Sequence, residues 1–275
     1  MTKADKLFLN NIQEILENEY STEDGKVRPH YKDGTPAHTI FITQVYEKYD
    51  ISKGEFPVTT LRPTAWKSGI KEILWIYKDQ SNELDILKSK YNIHWWDDWN
   101  IGNGTIGQRY GATIKKYDLI NKLLNGIKEQ PYGRRHIIDM YQYADFEETE
   151  GLHPCAFMTE WSVRGNYLDV TLIQRSNDYL VAGHINKIQY VALLMMVAQA
   201  TGYKPGVFAH HIQNLHIYDR HITQAKELLN RKPSDKNPKL ILDTDKTNFY
   251  DFTLDDFKMI DYEPIKPQLK FEMAI

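Results

Sequence analysis

The sequence contains one cysteine, Cys155, and no apolar stretch long enough to cross a membrane. A single thiol excludes an intramolecular disulfide and is typical of proteins that work in a reducing compartment. The longest uninterrupted apolar run covers residues 190–198, whereas a membrane-spanning helix needs about 20 such residues. The first 14 residues are charged and lack the apolar core of a signal peptide. These features predict a soluble protein of the cytoplasm.

An excess of positive charge is also missing, as are the usual motifs for phosphate-rich cofactors and for metals. The chain carries 34 basic and 37 acidic residues and a formal charge of −3, so a nucleic acid is not expected as its main ligand. It has no P-loop and no GxGxxG sequence, and therefore no nucleoside triphosphate or dinucleotide cofactor is indicated. No HExxH motif or cysteine pair occurs, and His210 and His211 would point to opposite faces of a strand. We therefore predict no metal site.

The chain has the composition of an ordinary globular protein and alternating helix and strand patterns. Hydrophobic residues make up 41% and charged residues 26%, and no internal repeat or low-complexity stretch divides the sequence. We predict a single domain over residues 1–275 with a mixed α/β fold. Apolar residues at helical spacing predict helices over residues 5–19, 66–78, 118–128, 186–201 and 220–229. Segments rich in β-branched and aromatic residues predict strands over 135–141, 156–163, 167–174, 208–218 and 239–242.

Cys155 is the first candidate for chemistry, because it follows Pro154 at the start of a predicted strand. A lone cysteine is more often a small buried residue than a nucleophile. A thiol with a pKa near ~8.5 is only slightly ionised at neutral pH, so a nucleophilic role requires a nearby cation. Two basic motifs could supply that cation, namely Arg134-Arg135 and the Arg175 of Gln174-Arg175-Ser176-Asn177-Asp178. Paired arginines are often solvated surface charge, but guanidinium groups also bind phosphate well.

The ends of two predicted strands carry further polar candidates. Strand alternation places Arg175 and Ser176 on opposite faces, so both can reach one phosphate only if the strand ends or bulges there. The Asn-Asp pair that follows favours an end. His216 and Tyr218 share one face of a predicted strand and could bind one sugar hydroxyl, although such residues often simply pack at strand ends.

One acidic residue and a group of tryptophans complete the candidates. Glu72 is the only acid in the apolar segment 70–77, and its helical phase leaves two possibilities. It is either exposed to solvent or a buried carboxyl with a raised pKa. The tryptophans either belong to the core or form a surface on which a flat heterocycle can stack; they are Trp95, Trp96 and Trp99.

Taken together, these motifs resemble the thymidylate synthase family in their order and spacing, and the resemblance covers nearly the whole chain. Each motif alone is short, whereas the complete series is specific. The matching segments are Phe56-Pro57, Thr59-Thr60, Lys71-Glu72-Ile73-Leu74-Trp75, Trp96-Asp97-Asp98-Trp99, Tyr110-Gly111, Arg134-Arg135, Leu152-His153-Pro154-Cys155, Gln174-Arg175-Ser176-Asn177-Asp178, Asn186, His216-Ile217-Tyr218 and Ala274-Ile275. The resemblance implies an α/β (α+β) fold, in which helices flank one large, twisted, mainly antiparallel or mixed β-sheet.

The resemblance implies a methyltransferase that converts dUMP to dTMP. Cys155 would attack C6 of dUMP and turn C5 into a carbon nucleophile. Arg175 would bind the phosphate and lower the pKa of the thiol, Asn186 would read O4 and N3 of uracil, and His216 with Tyr218 would hold the ribose 3′-hydroxyl. The implied catalytic residues are Cys155, Glu72, Tyr110 and Arg175. The implied dUMP-binding residues are Arg134, Arg135, Cys155, Arg175, Ser176, Asp178, Asn186, His216 and Tyr218.

The resemblance also implies a second substrate and a partner subunit. 5,10-Methylenetetrahydrofolate would supply both the one-carbon unit and the hydride and would leave as dihydrofolate. The implied folate-binding residues are Trp95, Trp96, Trp99, Asp178, Val181 and Ala274. The tail that ends at Ile275 would close over the substrates and exclude water. Arg134 and Arg135 match a pair that reaches the phosphate from the other subunit, which implies a homodimer.

The sequence departs from the commoner family pattern at several positions. Ala156 stands where many members have histidine, residues 182–185 replace a Gly-Leu-Pro-Phe type of loop, and Gln213-Asn214 replaces Gly-Asp. In the N-terminal phosphate loop, either Arg28 or Lys32 is the candidate contact.

Two alternatives to the synthase stay open. One is a pyrimidine-nucleotide hydroxymethylase of the same family, in which water adds to the methylene intermediate. The other is a catalytically silent protein on the same scaffold that binds a nucleotide or RNA. Asn186 favours uracil over cytosine, and the presence of Cys155 together with Arg175 favours an active enzyme.

Overall fold

A computed structural model describes residues 1–18 and 20–275. Within those residues the α-helices are α1 (Lys3–Glu17), α2 (Trp66–Ile73), α3 (Leu84–Tyr91), α4 (Gly111–Lys116), α5 (Leu119–Glu129), α6 (Tyr143–Glu148), α7 (Gly183–Thr201) and α8 (Ile222–Asn230). The strands are β1 (Thr39–Asp50), β2 (Ile137–Asp139), β3 (Ala156–Arg164), β4 (Tyr167–Gln174), β5 (Asn177–Asp178), β6 (Lys204–Tyr218), β7 (Lys239–Leu242) and β8 (Phe257–Ile260). Helices and strands are interleaved along the chain, which confirms the predicted mixed α/β class.

Six strands form one mixed sheet in the order β1-β6-β4-β3-β2, with β5 pairing with β6 beyond the end of β4. The pairs β1–β6, β2–β3 and β3–β4 are antiparallel, whereas β4 and β5 both run parallel to β6. Strands β7 and β8 form a separate antiparallel pair. Strand β4 ends at Gln174 and β5 begins at Asn177, so Arg175 and Ser176 lie in a break between two strands. The predicted end of the strand at this motif is therefore confirmed.

Helix α7 packs against β4 and β6 and forms the centre of the molecule. Every residue from 187 to 198 is buried. A helix with apolar residues on all sides cannot lie on the surface and has to be enclosed by other elements. The helix ends at Gly202, which has the left-handed conformation (φ 82°) that a glycine after a helix commonly adopts. In the described part of the chain, no helix has the length and the hydrophobicity that crossing a membrane requires.

Most predicted elements are present, with some differences in their limits. Helix α1 ends at Glu17, and the predicted end at Glu19 lies outside the described residues. The predicted helix 66–78 consists of α2 and a π-helical turn over Leu74–Lys78. Strand β2 is shorter than the predicted 135–141, and β6 begins four residues before the predicted 208. The 3-10 turn Asp219–His221 precedes α8, which therefore begins later than predicted.

Strand β1 is the largest element that the sequence patterns do not predict. Its buried positions change from an even number, Ile42, to odd numbers, Glu47 and Tyr49. Gln44 lies between them with φ 59°, and this left-handed residue interrupts the alternation that identifies a strand. A buried glutamate also makes the segment look polar. Elements α3, α4, α6 and β8 are likewise not predicted, because they are short.

A buried ion pair joins β1 to α7. Lys187 and Glu47 are almost completely buried, and Lys187 Nζ lies 2.5 Å from Glu47 Oε2. Asn11 Nδ2 donates to Glu47 Oε1 (2.9 Å), and the hydroxyls of Tyr49 (2.6 Å) and Tyr179 (3.2 Å) also donate to this carboxylate. Burial lowers the pKa of Lys187, and the charge of Glu47 opposes that shift. The pair therefore fixes the second turn of α7 against the sheet.

We expect Lys187→Met to lower the free energy of unfolding by about 3–5 kcal/mol, because it leaves the Glu47 carboxylate buried without its cation. Urea unfolding followed by circular dichroism measures this change. Lys226→Met on the exposed face of α8 is the control and should change the free energy by less than about 0.5 kcal/mol. An equal effect of the two substitutions would show that the buried pair does not matter for stability.

Candidate active site

Cys155 and Arg175 lie side by side because β3 and β4 pair at this end of the sheet. Ala156 is the register partner of Gln174, and the Arg175 N–H donates to the Cys155 carbonyl (2.9 Å). Arg175 Nη2 lies 3.5 Å from Cys155 Sγ. The same guanidinium donates to the carbonyls of Pro154 (3.0 Å) and His153 (2.8 Å), which hold it over the thiol. The cation that a nucleophilic cysteine requires is thus present.

The electrostatics of the thiol reflect two opposing influences. Burial raises the pKa of Cys155, while the charges of Arg175 and Arg28 lower it, and burial is the larger effect. Arg175 therefore acts in the expected direction but does not bring the pKa of the thiol below its ordinary value. Arg28 is the second cation that acts on the thiol. The sequence leaves Arg28 and Lys32 as equal candidates for the phosphate contact of the N-terminal loop. Of the two, Arg28 is the one whose charge acts on Cys155.

Glu72 is buried on α2, so the second of the two possibilities for this residue is correct. Its Oε1 accepts from Trp96 Nε1 (2.7 Å) and its Oε2 accepts from Gln189 Nε2 (2.9 Å). Burial raises the pKa of Glu72 to about 7, although hydrogen bonds from Trp96, Gln189 and Trp95 oppose this shift. A carboxyl with such a pKa can both donate and accept a proton at neutral pH.

A chain of side-chain amides connects Glu72 to the interior of the sheet. Asn186 Nδ2 donates to Gln189 Oε1 (3.0 Å), and Asn186 Oδ1 accepts from Gln174 Nε2 (3.1 Å). Gln174 Oε1 in turn lies 3.0 Å from His210 Nε2. Because each amide contacts the next, the orientation of the Asn186 amide is fixed by its neighbours on both sides.

Tyr110 lies between the thiol and the tryptophans in a strained conformation. Its hydroxyl accepts from the Cys155 N–H (3.1 Å), and its ring centroid lies 5.3 Å from that of Trp96. With φ 48° and ψ −110°, Tyr110 is outside the usual regions for a residue with a side chain. The next residue must be glycine, because a Cβ at Gly111 would lie 2.2 Å from the Ser81 carbonyl oxygen. Burial raises the pKa of Tyr110 well above its ordinary value.

The tryptophans form an aromatic wall next to Glu72. Trp96 is buried and lies between Trp75 and Trp99, with ring centroids 6.4 and 5.4 Å apart. Trp95 and Trp99 are partly buried at the edge of the core. In residues 1–18 and 20–275, the buried Trp99 Nε1 has no hydrogen-bond acceptor. Of the two possibilities for the tryptophans, core or stacking surface, Trp96 belongs to the core, whereas Trp95 and Trp99 are partly accessible.

Asp178 and Val181 occupy the turn that joins β5 to α7. The Val181 N–H donates to Asp178 Oδ1 (3.3 Å). Burial raises the pKa of Asp178 to about 7, and the Val181 hydrogen bond and the charge of Arg62 oppose this shift. Asp178 is the register partner of His216 on β6, so the turn lies beside the predicted sugar-binding residues.

His216 and Tyr218 end β6 on one face, as predicted, with ring centroids 5.3 Å apart. His216 Nδ1 lies 2.8 Å from Asn214 Oδ1, and burial lowers the pKa of His216 to about 4. The imidazole is therefore neutral at physiological pH. Burial and the charges of Asp178 and Cys155 raise the pKa of Tyr218 to about 12, while Arg28 opposes them.

Two groups of predicted residues lie apart from this cluster. Arg134 and Arg135 are exposed just before β2 and, among the described residues, form no ion pair or hydrogen bond with the site. Ala274 is partly buried in the tail, whose last residue, Ile275, pairs with His30. The sequence patterns did not identify Gln189, although it lies three residues after Asn186 and hence on the same helical face.

Comparisons with known proteins agree with this geometry. The thymidylate synthase family model matches residues 6–275. Curated thymidylate synthases of Lactococcus lactis and of Streptococcus pneumoniae strain R6 are each 56% identical to the chain over 281 aligned positions and are covered completely, as is the chain. The solved structure of the thermostable thymidylate synthase A from Bacillus subtilis superposes with a TM-score of 0.93, at 35% identity and with full coverage of both chains. The chain therefore belongs to the thymidylate synthase family.

Proposed function

We propose that this protein converts dUMP to dTMP, with 5,10-methylenetetrahydrofolate as the donor of both the carbon and the hydride and dihydrofolate as the second product. The observation that carries the proposal is the contact between Cys155 and Arg175 (3.5 Å) within a site that also holds Glu72 and Asn186. Family membership supports one catalytic domain over residues 1–275, working in the cytoplasm.

Cys155 is the nucleophile in this proposal. Its thiolate adds to C6 of the pyrimidine, and C5 then carries the electron density needed to attack the one-carbon unit. The pKa of the thiol is raised by burial, so the thiolate depends on the charges of Arg175 and Arg28. Nη1 of Arg175 donates to no protein atom in the described residues and is available for the phosphate. Ser176 lies next to it in the break between β4 and β5.

Asn186 reads the base. Its amide donates one hydrogen to Gln189 and accepts one from Gln174, which leaves one N–H and one lone pair for a ligand. Uracil offers the complement, since O4 accepts and N3–H donates. Cytosine offers the opposite pattern at these two atoms. His216, neutral and held by Asn214, acts with Tyr218 on the 3′-hydroxyl of the ribose.

Glu72 and Tyr110 handle protons around the pyrimidine. The pKa of Glu72 near 7 lets it exchange a proton with O4 or with water during the reaction. The Tyr110 hydroxyl, fixed by the Cys155 N–H, is placed to assist removal of the C5 proton through a water molecule. The strained backbone of Tyr110 is typical of a residue whose position matters for function.

The folate lies, in this proposal, against the accessible tryptophans. The partly accessible Trp95 and Trp99 and the buried Trp96 provide an apolar wall, and Asp178 with Val181, in the turn before α7, also contributes to the folate site. The tail with Ala274 closes the site and keeps water away from the reacting carbon.

The active form in this proposal is a homodimer, with Arg134 and Arg135 contributed to the partner's phosphate site. Their exposure and their distance from the thiol cluster support a role across an interface. One face of the sheet is covered by α7, whereas the other carries a row of incompletely buried residues that are paired across four strands, namely Tyr46, His211, Ile173 and Met158. Such a face suits a second copy of the same chain.

The test of the reaction is to mix the protein with dUMP and methylenetetrahydrofolate and to identify the products by absorbance and mass. We expect dihydrofolate and dTMP together. Hydroxymethyl-dUMP without dihydrofolate would show that the protein is a hydroxymethylase and not a synthase.

Cys155→Ala should abolish turnover and change the Kd of dUMP by no more than about fivefold, which corresponds to ~1 kcal/mol. Loss of dUMP binding by a folded Cys155→Ala protein would contradict the nucleophilic role.

Glu72→Gln keeps the shape of the side chain and one of the two accepted hydrogen bonds, and it removes the titration. We expect kcat to fall by about 10²–10³ and the inflection of the kcat–pH profile near pH 7 to disappear. The carboxyl is mainly protonated below that pH and mainly ionised above it. Glu160→Gln on the exposed part of β3 is the control and should leave the profile unchanged. An inflection near pH 7 that persists in Glu72→Gln would assign it to another group.

Asn186→Asp should shift the preference from dUMP toward dCMP. A carboxylate accepts from the N4 amino group of cytosine and no longer donates to O4 of uracil, so two hydrogen bonds are affected at once. We expect the ratio of kcat/KM for dUMP over dCMP to fall by at least about 10²-fold. Asn166→Asp in the exposed turn between β3 and β4 is the matched control. Unchanged discrimination in Asn186→Asp would remove this residue as the reader of the base.

A further inference from the structure

The C-terminal tail, residues 268–275, is bound along α8 and the 3-10 turn before it. Gln224 Nε2 donates to the Lys270 carbonyl (2.9 Å), and His221 Nε2 lies 2.8 Å from the Glu272 carbonyl. The ring of Phe271 lies against His221 and under the guanidinium of Arg62, each 5.1 Å away. The tail is therefore held to the body of the protein by contacts within its own chain.

The end of the tail pairs with the loop that carries Arg28. The His30 N–H donates to the Ile275 carbonyl (2.9 Å), and the Ile275 N–H donates to the His30 carbonyl (3.0 Å). We call residues 20–38 the N-terminal loop. Since His30 follows Arg28 by two residues, the position of Ile275 and the position of Arg28 depend on each other through this backbone pair.

Arg220 is the side chain that binds both the tail and the N-terminal loop. Its Nη1 lies 2.9 Å from each carboxylate oxygen of Glu272 in the tail. Its Nη2 donates to Asp33 Oδ2 (2.7 Å) and to Thr35 Oγ1 (2.6 Å) in the loop. The guanidinium also lies 3.9 Å from the centroid of the Tyr31 ring. One cation thus contacts four side chains on two segments that are distant in sequence.

The geometry makes this pair stronger than an isolated surface ion pair. The side chains of Arg220 and Glu272 are 34% and 41% exposed, and an exposed ion pair alone contributes little. Here the guanidinium contacts both carboxylate oxygens and is stacked on an aromatic ring, so its rotamer is fixed before Glu272 binds. The tail contacts of His221 and Gln224 add to the same docking.

We propose that Arg220 is a positioning residue that links the C-terminal tail to the N-terminal loop, so that occupation of the phosphate site and docking of the tail favour each other. The inference rests on the proposed function, in which Arg28 contacts the phosphate of dUMP. Coupling between two sites is reciprocal. If the docked tail holds Arg28 in place for the phosphate, then the bound phosphate holds the tail.

Digestion with carboxypeptidase A measures docking, because the enzyme attacks only a detached tail and the rate follows the detached population. The release of Ile275 and then of the residues that precede it is followed by mass spectrometry with and without saturating dUMP. In the wild type we expect dUMP to slow release by about fivefold or more. In Arg220→Gln, release without dUMP should be about threefold faster than in the wild type, and protection by dUMP should fall below about twofold.

A second variant and matched controls keep the result interpretable. Glu272→Gln leaves the loop contacts of Arg220 in place and should show the same loss of protection. Glu263→Gln, whose carboxylate pairs with Lys236 in the same C-terminal segment, and Arg164→Gln in the β3–β4 hairpin should behave like the wild type. A general loss of stability would speed digestion with and without dUMP alike and would leave the protection ratio unchanged.

Calorimetric titration of dUMP separates the two proposals. If dUMP does not bind the wild type, the proposed function fails, while the rates without nucleotide still test whether Arg220 docks the tail. If dUMP binds and protects Arg220→Gln and Glu272→Gln as strongly as the wild type, the linking role of Arg220 is wrong. Binding with protection that is lost only in these two variants would establish it.

Discussion

The rest of the structure depends on the burial of residues 187–198 of α7. An apolar helix enclosed on all sides forces its few polar side chains to find partners inside the protein, because an unpaired buried polar group costs free energy. Lys187 is satisfied by Glu47 on β1, and Asn186 and Gln189 are satisfied by Gln174 and Glu72. The same constraint that builds the core therefore also orients the amide that is proposed to read the base.

The candidate site combines buried acids that have raised pKa values with cations that act on the thiol. Burial raises the pKa values of Cys155, Glu72 and Asp178, whereas Arg175 and Arg28 provide positive charge beside the thiol. In a poorly solvated site, each of these charges acts more strongly than it would in water. Proton transfer at Glu72 is then within reach at neutral pH, whereas thiolate formation at Cys155 relies on the charges of Arg175 and Arg28.

Local patterns predict the elements that repeat a simple period. The helices α1, α5 and α7 and the β3–β4 hairpin follow from spacing alone, and the break after Gln174 follows from the Asn-Asp pair behind it. Strand β1 does not, because Gln44 shifts its alternation by one residue. Local patterns also do not predict the docking of the tail, because its contacts join residues such as Arg220 and Glu272 that are far apart in the chain.

The sequence by itself determined the family, the proposed nucleophile Cys155 and the set of residue types that accompany it, because these are carried by short motifs in a fixed order. Only the tertiary structure decided that Glu72 is buried, that Arg28 rather than Lys32 acts on the thiol, and that Gln189 joins Asn186 to Glu72. The physical reason is that burial, pKa and hydrogen-bond partners are set by distances between elements, and the spacing of residues along one element does not contain those distances.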